Sequence, residues 1–345
     1  MAFTAAELAT VASSTIDHYL KNKPIDQVAI ETPLLAKLRK KQKPFGAGQN
    51  VVENIRTNHG SNFQWVKGSA VVTYNHRNTV NQATYAWSGW HDGLSLAEDE
   101  LAANGIIVTD TGGKKYNKAE VARLVNLLEE QLESLFEGAR IEFARQLYLD
   151  GTQSADAIAG LDTLVATNPA TGVVGGIDRA AAAYWRNNTA GAPIAAGSIL
   201  STMEQHWRAC TRNGGRPDLI VAGGAFIDAF AAETKTSNRV IVQNGDQAKL
   251  EGGYSELSFK GTPIIYDPVL DDLDTTHPPA VGAPAWSNRC YMLNTKHIRL
   301  RPMEGCDFVR RNPPRVYNQY VQYWAIQWKG ALTMNRANSH SILWV

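Results

Sequence analysis

One stretch limits the possible folds more than any other: residues Tyr116 to Gly151 read as a single long helix. Asn117 followed by Glu120 has capping-box spacing, in which cap side chain and N3 carboxylate each satisfy a free backbone N–H. Val121, Leu124, Val125, Leu128, Leu132, Leu135, Phe136, Ala139, Phe143 and Leu147 then recur at steps of three and four, which lines them along one face. Glu130, Glu133 and Glu137 fall on the other side, and Asp150-Gly151 suits a helix end. At about 1.5 Å per residue this helix spans roughly 50 Å, more than the width of a small domain. It reads as a spine on which other parts lie, although a long core helix in an enzyme fits the stretch equally well.

A chain of 345 residues has room for two or more lobes. A formal charge of +1 argues for neither a nucleic-acid binder nor an acidic halophile protein, and leaves room for local patches. Cys210, Cys290 and Cys306 are odd in number and far apart, which disfavours a disulfide framework and a zinc site and fits a reducing cytosol. No run of eighteen apolar residues and no basic start followed by an apolar run occurs, so a soluble chain without a signal peptide or membrane partner is expected.

In chain order, Thr4 and Glu7 open a short helix through Tyr19, and Pro33 opens a second helical piece over Leu34 to Lys41. The second carries the densest basic cluster, Lys37, Arg39, Lys40 and Lys41 with Lys43 beyond, and reads as a solvated surface helix. After Pro44 to Gly48 come β-prone runs at Val51 to Arg56, Asn62 to Val66, Ala70 to Tyr74 and Gln82 to Trp87. Their alternation is weak, so these hairpins would bury no core of their own and need a partner surface. Beyond Gly151 the chain turns rich in Ala, Gly and Thr, and a lobe boundary falls there. Ser198 caps a helix through Cys210 that Asn213-Gly214-Gly215 ends; a strand over Asp218 to Ala222 and a helix over Ala225 to Ala232 follow. Strands are expected at Arg239 to Gln243, Leu257 to Phe259, Thr262 to Tyr266, Cys290 to Leu293 and Ile298 to Leu300, with Lys260-Gly261 as a hairpin turn. This strand, helix, strand order describes a mixed α/β lobe, and the chain returns in strands through Val316 to Thr333 and Ile342 to Val345.

Catalytic constellations are missing. The sequence has no phosphate loop, no dinucleotide fingerprint, no nucleophile elbow and no paired histidines of a zinc protease. Asp267, Asp271, Asp272 and Asp274 could offer oxygens to a hard cation but lack calcium-loop spacing, so a solvated loop is the expectation. No cofactor, metal or catalytic residue is assigned, and no enzyme activity is expected.

The order of parts, together with Gly46-Ala47-Gly48-Gln49-Asn50-Val51-Val52-Glu53, Ala86-Trp87-Ser88-Gly89-Trp90 and Asn104-Gly105 before the spine, resembles the major capsid protein of tailed bacteriophages. Gly160-Leu161-Asp162-Thr163-Leu164, Gly176-Ile177-Asp178-Arg179 with Tyr184-Trp185-Arg186-Asn187, Phe259 to Ile264, and Tyr291 to Thr295 with Ile298 to Leu300 are similar to stretches in such proteins. The resemblance implies an α+β, Hong Kong phage-type capsid fold: N-terminal arm 1–45, extended loop 46–85, peripheral domain 86–150 with the spine, axial domain 151–302, and return strands 303–345 of the peripheral domain. It implies hexamers and pentamers closing into an icosahedral shell around double-stranded DNA held non-specifically, a virion capsid put together in the host cytoplasm. Portal, decoration and scaffolding proteins are implied partners, scaffolding coming from another protein or being absent because the chain starts directly with the arm. Lys67 sits nearest to the loop lysine that some members crosslink, but no partner asparagine or catalytic glutamate accompanies it, and crosslinking is not expected. The basic arm at Lys37, Arg39, Lys40, Lys41 and Lys43 is expected to meet Glu130, Glu133 and Glu137 of a neighbouring spine. Two alternatives stay open: an encapsulin-like nanocompartment shell with protein cargo, and a cytosolic α/β enzyme whose site lies in 151–302.

Overall fold

A computed structural model describes residues 30–77, 79–103, 118–212, 214–236, 257–311 and 321–345, without the side chains of 118–130, 132 and 322. Its elements in chain order begin with α1 (Pro33–Lys40), β1 (Asn50–Arg56), β2 (Val80–Ala86), β3 (Ser88–Ala97), α2 (Glu98–Ala103) and α3 (Lys118–Gln146). Next come α4 (Leu161–Leu164), β4 (Val173–Val174), β5 (Ile177–Asp178), β6 (Asn188–Thr189), α5 (Ile199–Arg212), β7 (Leu219–Ala222) and α6 (Gly224–Thr236). The remainder are β8 (Ser258–Phe259), β9 (Thr262–Tyr266), α7 (Pro268–Thr276), β10 (Arg289–Leu293), β11 (Ile298–Pro302), β12 (Val309–Arg311), β13 (Val321–Met334) and β14 (Ser341–Trp344). The helix expected over Thr4 to Tyr19, the Asn117 cap and the strand at Arg239 to Gln243 lie outside the described residues.

Contacts group the described chain into two units. One takes Gly89–Phe143 with Gly305–Lys329; the other takes Glu31–Ser88, Ala144–Glu304 and Gly330–Val345. The strands expected to return over 303–345 are therefore divided between them.

The smaller unit holds most of the spine. Trp90 of β3, Phe143 of α3, Phe308 and Trp328 of β13 form an aromatic box, with Phe143 centred 4.6 Å from Trp328 and 5.7 Å from Trp90, and Trp90 5.2 Å from Phe308. Tilted and edge-on rings at these distances are the favoured aromatic arrangements. Ala139 and Phe143, both in the apolar stripe read from sequence, are buried here.

The larger unit is built on a six-stranded sheet of order β6-β14-β10-β7-β9-β8. β7 and β9 run parallel with α6 between them, β6 and β14 run parallel, and the other neighbours are antiparallel. This is the mixed α/β lobe that the element order predicts. Leu219 to Ala222 and Arg289 to Leu293 are buried at every position, because helices and loops cover both sheet faces. Strands covered on both sides read as continuous apolar runs, which is why neither shows a period of two. On one face Ile199, Met203 and Trp207 of α5 and Phe226 and Phe230 of α6 pack on Ile220, Ala222, Ile264, Cys290, Met292 and Leu343. The Lys260-Gly261 turn forms as expected, with φ of 48° and 79°, the left-handed pair that a two-residue hairpin loop requires.

Three local expectations are corrected. The spine ends at Gln146 and not at Asp150, because the chain folds back and Leu161 and Asp162 donate their N–H groups to the carbonyls of Leu147 (2.8 Å) and Tyr148 (3.1 Å). Ser198 does not cap α5 with its side chain: its hydroxyl donates to the Ala195 carbonyl, and the Glu233 carboxylate of α6 accepts from the N–H groups of Ile199 (2.8 Å) and Leu200 (3.1 Å) instead. A negative charge at that positive helix end is the favourable arrangement.

The third concerns the four aspartates, which lie on or beside helix α7 and not in a solvated loop. Asp267 accepts from Val269 N–H (3.1 Å) and Tyr148 OH (2.7 Å), and Asp271 from Gly224 N–H (2.9 Å) and Tyr266 OH (2.6 Å). Asp272 pairs with Arg145 at 3.1 Å, and Asp274 accepts from the N–H groups of Trp286 (2.7 Å) and Ser287 (3.0 Å). Each carboxylate is thus committed to internal bonds, and no group of three or more metal-ligating side chains occurs among the described residues.

Candidate assembly surface

The region between Gly46 and Ala86 divides into an anchored base and an unsupported tip. In the base, β1 and β2 pair antiparallel from Asn50↔Ala86 to Arg56↔Val80. Val51, Ile55, Ala83 and Tyr85 are buried, so the base finds the surface it needs within its own chain. Glu53 forms an ion pair with Arg301, and Thr84 N–H donates to the Gly175 carbonyl at 2.9 Å. Tyr85 OH donates to the Met334 carbonyl at 2.7 Å, and burial pushes its phenol above the ordinary range.

Beyond Arg56 that support ends. The stretches at Asn62 to Val66 and Ala70 to Tyr74, expected as strands, form no backbone ladder. They are cross-linked by side chains instead: Asn62 Nδ2 donates to the Thr73 carbonyl (3.3 Å), Thr73 N–H to Gln64 Oε1 (3.3 Å) and Asn75 Nδ2 to Asn62 Oδ1 (3.2 Å). Strand-prone residues without a third strand or a helix beneath them gain too little to hold a regular ladder in water. Phe63, Trp65, Val71 and Tyr74 are 74%, 92%, 94% and 89% exposed, and Phe63 meets Trp65 edge-on with ring centres 5.2 Å apart. Large apolar side chains bunched on a projecting loop mark an interaction surface, whereas singly scattered ones do not. From Asn54 to His91 the sequence has no acidic residue, while Arg56, Lys67 and Arg77 supply positive charge.

The basic helix α1 is more firmly seated than a solvated arm. Leu34, Leu35 and Leu38 are buried, and Lys43 N–H and Phe45 N–H donate to the carbonyls of Leu300 (3.1 Å) and Pro302 (3.0 Å) along β11. Lys41 Nζ lies 2.5 Å from Asp218 Oδ2 and 2.6 Å from Thr295 Oγ1. Burial alone would raise the Asp218 carboxyl, but bonds from Lys41 and Thr295 outweigh it and hold it below the usual carboxylate range. Of the expected contact residues, Lys41 is therefore engaged within its own chain. Lys40, Arg39 and Lys43 sit on the exposed side, and Lys37 is half-buried. On the spine, Glu133 is exposed and Glu137 pairs with Arg140 at 2.7 Å one turn on; Glu130 belongs to α3 with its side chain outside the described residues.

The turn and charge motifs prove to be framework. Arg289, fully buried, stacks on Trp286 at 3.8 Å and bonds Asp162 at 2.7 Å. Asp162 is pushed up by burial and pulled back by that guanidinium, with the net shift upward. Arg179 donates to the carbonyls of Thr163 (3.1 Å) and Leu164 (2.5 Å), and burial lowers its guanidinium to about 10. Sequence reasoning did not predict either buried arginine; an arginine placed among apolar and turn residues is the only trace that each leaves.

No protein-family model and no curated protein matches the chain. Solved structures do. The cyanophage A-1(L) capsid subunit superposes with a TM-score of 0.65 at 17% identity, covering 94% of this chain and 96% of that one. A GTA particle capsid gives 0.54 at 11% identity over 94% and 98%, and the SrpI encapsulin of Synechococcus elongatus gives 0.52 at 13% over 100% and 96%. At these identities the likeness concerns the fold, and it runs along nearly the full length of each partner. The chain thus has the α+β, Hong Kong phage-type fold of tailed-phage major capsid proteins.

Proposed function

We propose that this chain is the major capsid protein of a tailed phage, assembling as hexamers and pentamers into an icosahedral shell around double-stranded DNA. The observation that carries the reading is the tip at residues 57–77: a well-anchored hairpin base presents aromatic and β-branched side chains to water, a surface suited to burial against another molecule. A second copy is the natural partner, since one projecting loop per subunit repeats around a closed symmetric ring. In domain terms, the arm would be 1–45, the loop 46–85, the peripheral domain 86–150 with 303–345, and the axial domain 151–302. Portal, decoration and scaffolding proteins are proposed partners, the virion is the proposed location with assembly in the host cytoplasm, and no catalytic residue, cofactor or metal is assigned.

Negative-stain microscopy and light scattering of the expressed protein, alone and with the proteins encoded beside it, test this directly. Closed shells or capsomers are expected; a stable monomer or dimer under every condition would overturn it. An encapsulin-like shell is the second reading, favoured by the SrpI match, and shells that co-purify with protein cargo and no nucleic acid would select it.

The arm and spine are proposed to add charge complementarity between neighbours. Lys37, Arg39, Lys40 and Lys43 would face Glu130, Glu133 and Glu137, while Lys41 stays with Asp218. An exposed pair contributes only about 0.2–1 kcal/mol, but a closed shell repeats it many times. Reversing the four cations to glutamate, or the three glutamates to lysine, is expected to impair empty-shell assembly at low salt, and combining both sets to restore it. Normal empty shells from the cation reversal, with DNA filling reduced, would assign the arm to DNA.

A further inference from the structure

At one end of the larger unit's sheet, β7 starts, β10 finishes and β14 starts, because Leu219 lies opposite Leu293 and Ser341 opposite Met292. Three stretches of chain meet there: 205–217 leading into β7, 294–303 leaving β10 through β11, and 330–345 leaving β13 for β14. None of the three contains an aspartate or glutamate. Besides Arg301, which Glu53 neutralises, they carry Arg208, Arg212, Arg216, Lys296, Arg299 and Arg336. Arg208 and Arg212 stand exposed one turn apart at the end of α5, Arg216 and Lys296 are exposed beside the strand ends, and Arg299 and Arg336 are half-buried. The connections touch one another: Asn335 N–H donates to the His297 carbonyl at 3.0 Å, and Asn335 Oδ1 lies 2.8 Å from His297 Nδ1. A Cβ on Gly214 would lie 3.5 Å from Arg336 Nη1, and one on Gly215 3.7 Å from His297 Cδ2, so the turn before β7 packs on the same group. His297 registers the field: burial first, then the charges of Arg336, Arg299 and Lys296, hold its imidazole below the ordinary range although Asn335 bonds it. Asp218, the carboxylate just before β7, is already bonded by Lys41 and by Thr295.

We propose that this end of the sheet, with Arg208, Arg212, Arg216, Lys296, Arg299 and Arg336, is a binding surface for the phosphodiester backbone of nucleic acid, without regard to base sequence. Arginine predominates in it, and the planar guanidinium fork matches two phosphate oxygens while keeping its charge at every physiological pH. A protein-binding patch carries an apolar or aromatic centre, whereas a nucleic-acid face is polar and strongly positive. Among the described residues the large exposed apolar side chains, such as Phe63, Trp65, Val71 and Tyr74 of the tip, all lie outside these three stretches. With a formal charge of only +1 on the whole chain, the positive end is a local concentration of charge and not a general basicity, so a polyanion is drawn to this face in particular. The surface shares no residue with the arm cations Lys37, Arg39, Lys40 and Lys43. It deepens the shell reading, on which its meeting with packaged DNA rests.

Fluorescence anisotropy of a labelled DNA duplex of about 30 base pairs tests it, read across roughly 0.05 to 0.3 M salt on the full chain separated from assembled shells. Combining Arg212→Gln, Arg216→Gln and Lys296→Gln is expected to weaken binding at least tenfold at about 0.1 M salt, equally for duplexes of different sequence. The slope of log affinity against log salt should fall by roughly 2 to 3, since each phosphate contact contributes about 0.9. Should the triple variant fail to fold, Lys296→Gln alone changes one exposed side chain and is expected to lower the slope by about 1. No duplex binding by the native chain, or the same affinity and slope in the variant, would overturn the proposal. Poly-glutamate that competes better than unlabelled duplex, charge for charge, would overturn it too and assign the face to an acidic protein. Empty shells are expected to form alike from native and variant chains; shells from neither would strike the shell reading, while the duplex measurement still decides this one.

Discussion

Replacing residues 57–79 with a two-residue Asn-Gly turn is expected to leave the monomer folded and to abolish shell formation. The excision falls just beyond the Arg56↔Val80 pair, so the ladder and the buried Val51, Ile55, Ala83 and Tyr85 remain, and Asn-Gly suits the turn that closes such a ladder. The excised part makes mainly exposed side-chain bonds of 3.2 to 3.3 Å between its legs, which contribute little against water. Its loss should change unfolding free energy by less than about 1 kcal/mol. Assembly should nonetheless fall below detection by light scattering, because Phe63, Trp65, Val71 and Tyr74 leave with the loop. Loss of the cooperative thermal transition would place the tip in the monomer's own core, and normal shells would show that the apolar tip is not an assembly contact.

A methyl group at position 160 should have the largest effect on the monomer. The chain returns after the spine so closely that a Cβ on Gly160 would lie 2.5 Å from the Leu147 carbonyl oxygen and 2.8 Å from that of Gln146, and would also overlap that of Leu149. These belong to the backbone that ends the spine and accepts the N–H groups of Leu161 and Asp162, so relief requires moving main chain. Gly160→Ala is expected to cost roughly 3 kcal/mol and to lower Tm by about 5–10 °C in a calorimetric scan. Asp162 sits just beyond, and displacing it would strain its pair with the buried Arg289 as well. A shift under 2 °C would mean that the turn relaxes freely and does not set where the helix stops.

Periodicity and turn chemistry determined much of this protein. The three- and four-residue spacing along the spine, the strands of the sheet, Pro33 at the start of α1 and the Lys260-Gly261 turn are local choices, settled by which face an apolar side chain takes and which φ a residue tolerates. The order of those elements, together with the resemblance of stretches such as Ala86 to Trp90 to tailed-phage capsid proteins, indicated the capsid-type fold that the structural likeness shows. Partnerships across the chain were not legible, because a hydrogen bond between residues many turns or strands apart, 34 positions for Glu233 and 127 for Arg289, leaves no spacing to read. Glu233 as the cap of α5, Arg289 with Asp162, and Asp267 with Tyr148 belong to that class. The same limit separated the two parts of the hairpin: both are β-prone, and only the tertiary structure, by placing Gly175, Arg301 and Met334 against the base and leaving the tip's side chains exposed, decided which part is core and which is surface.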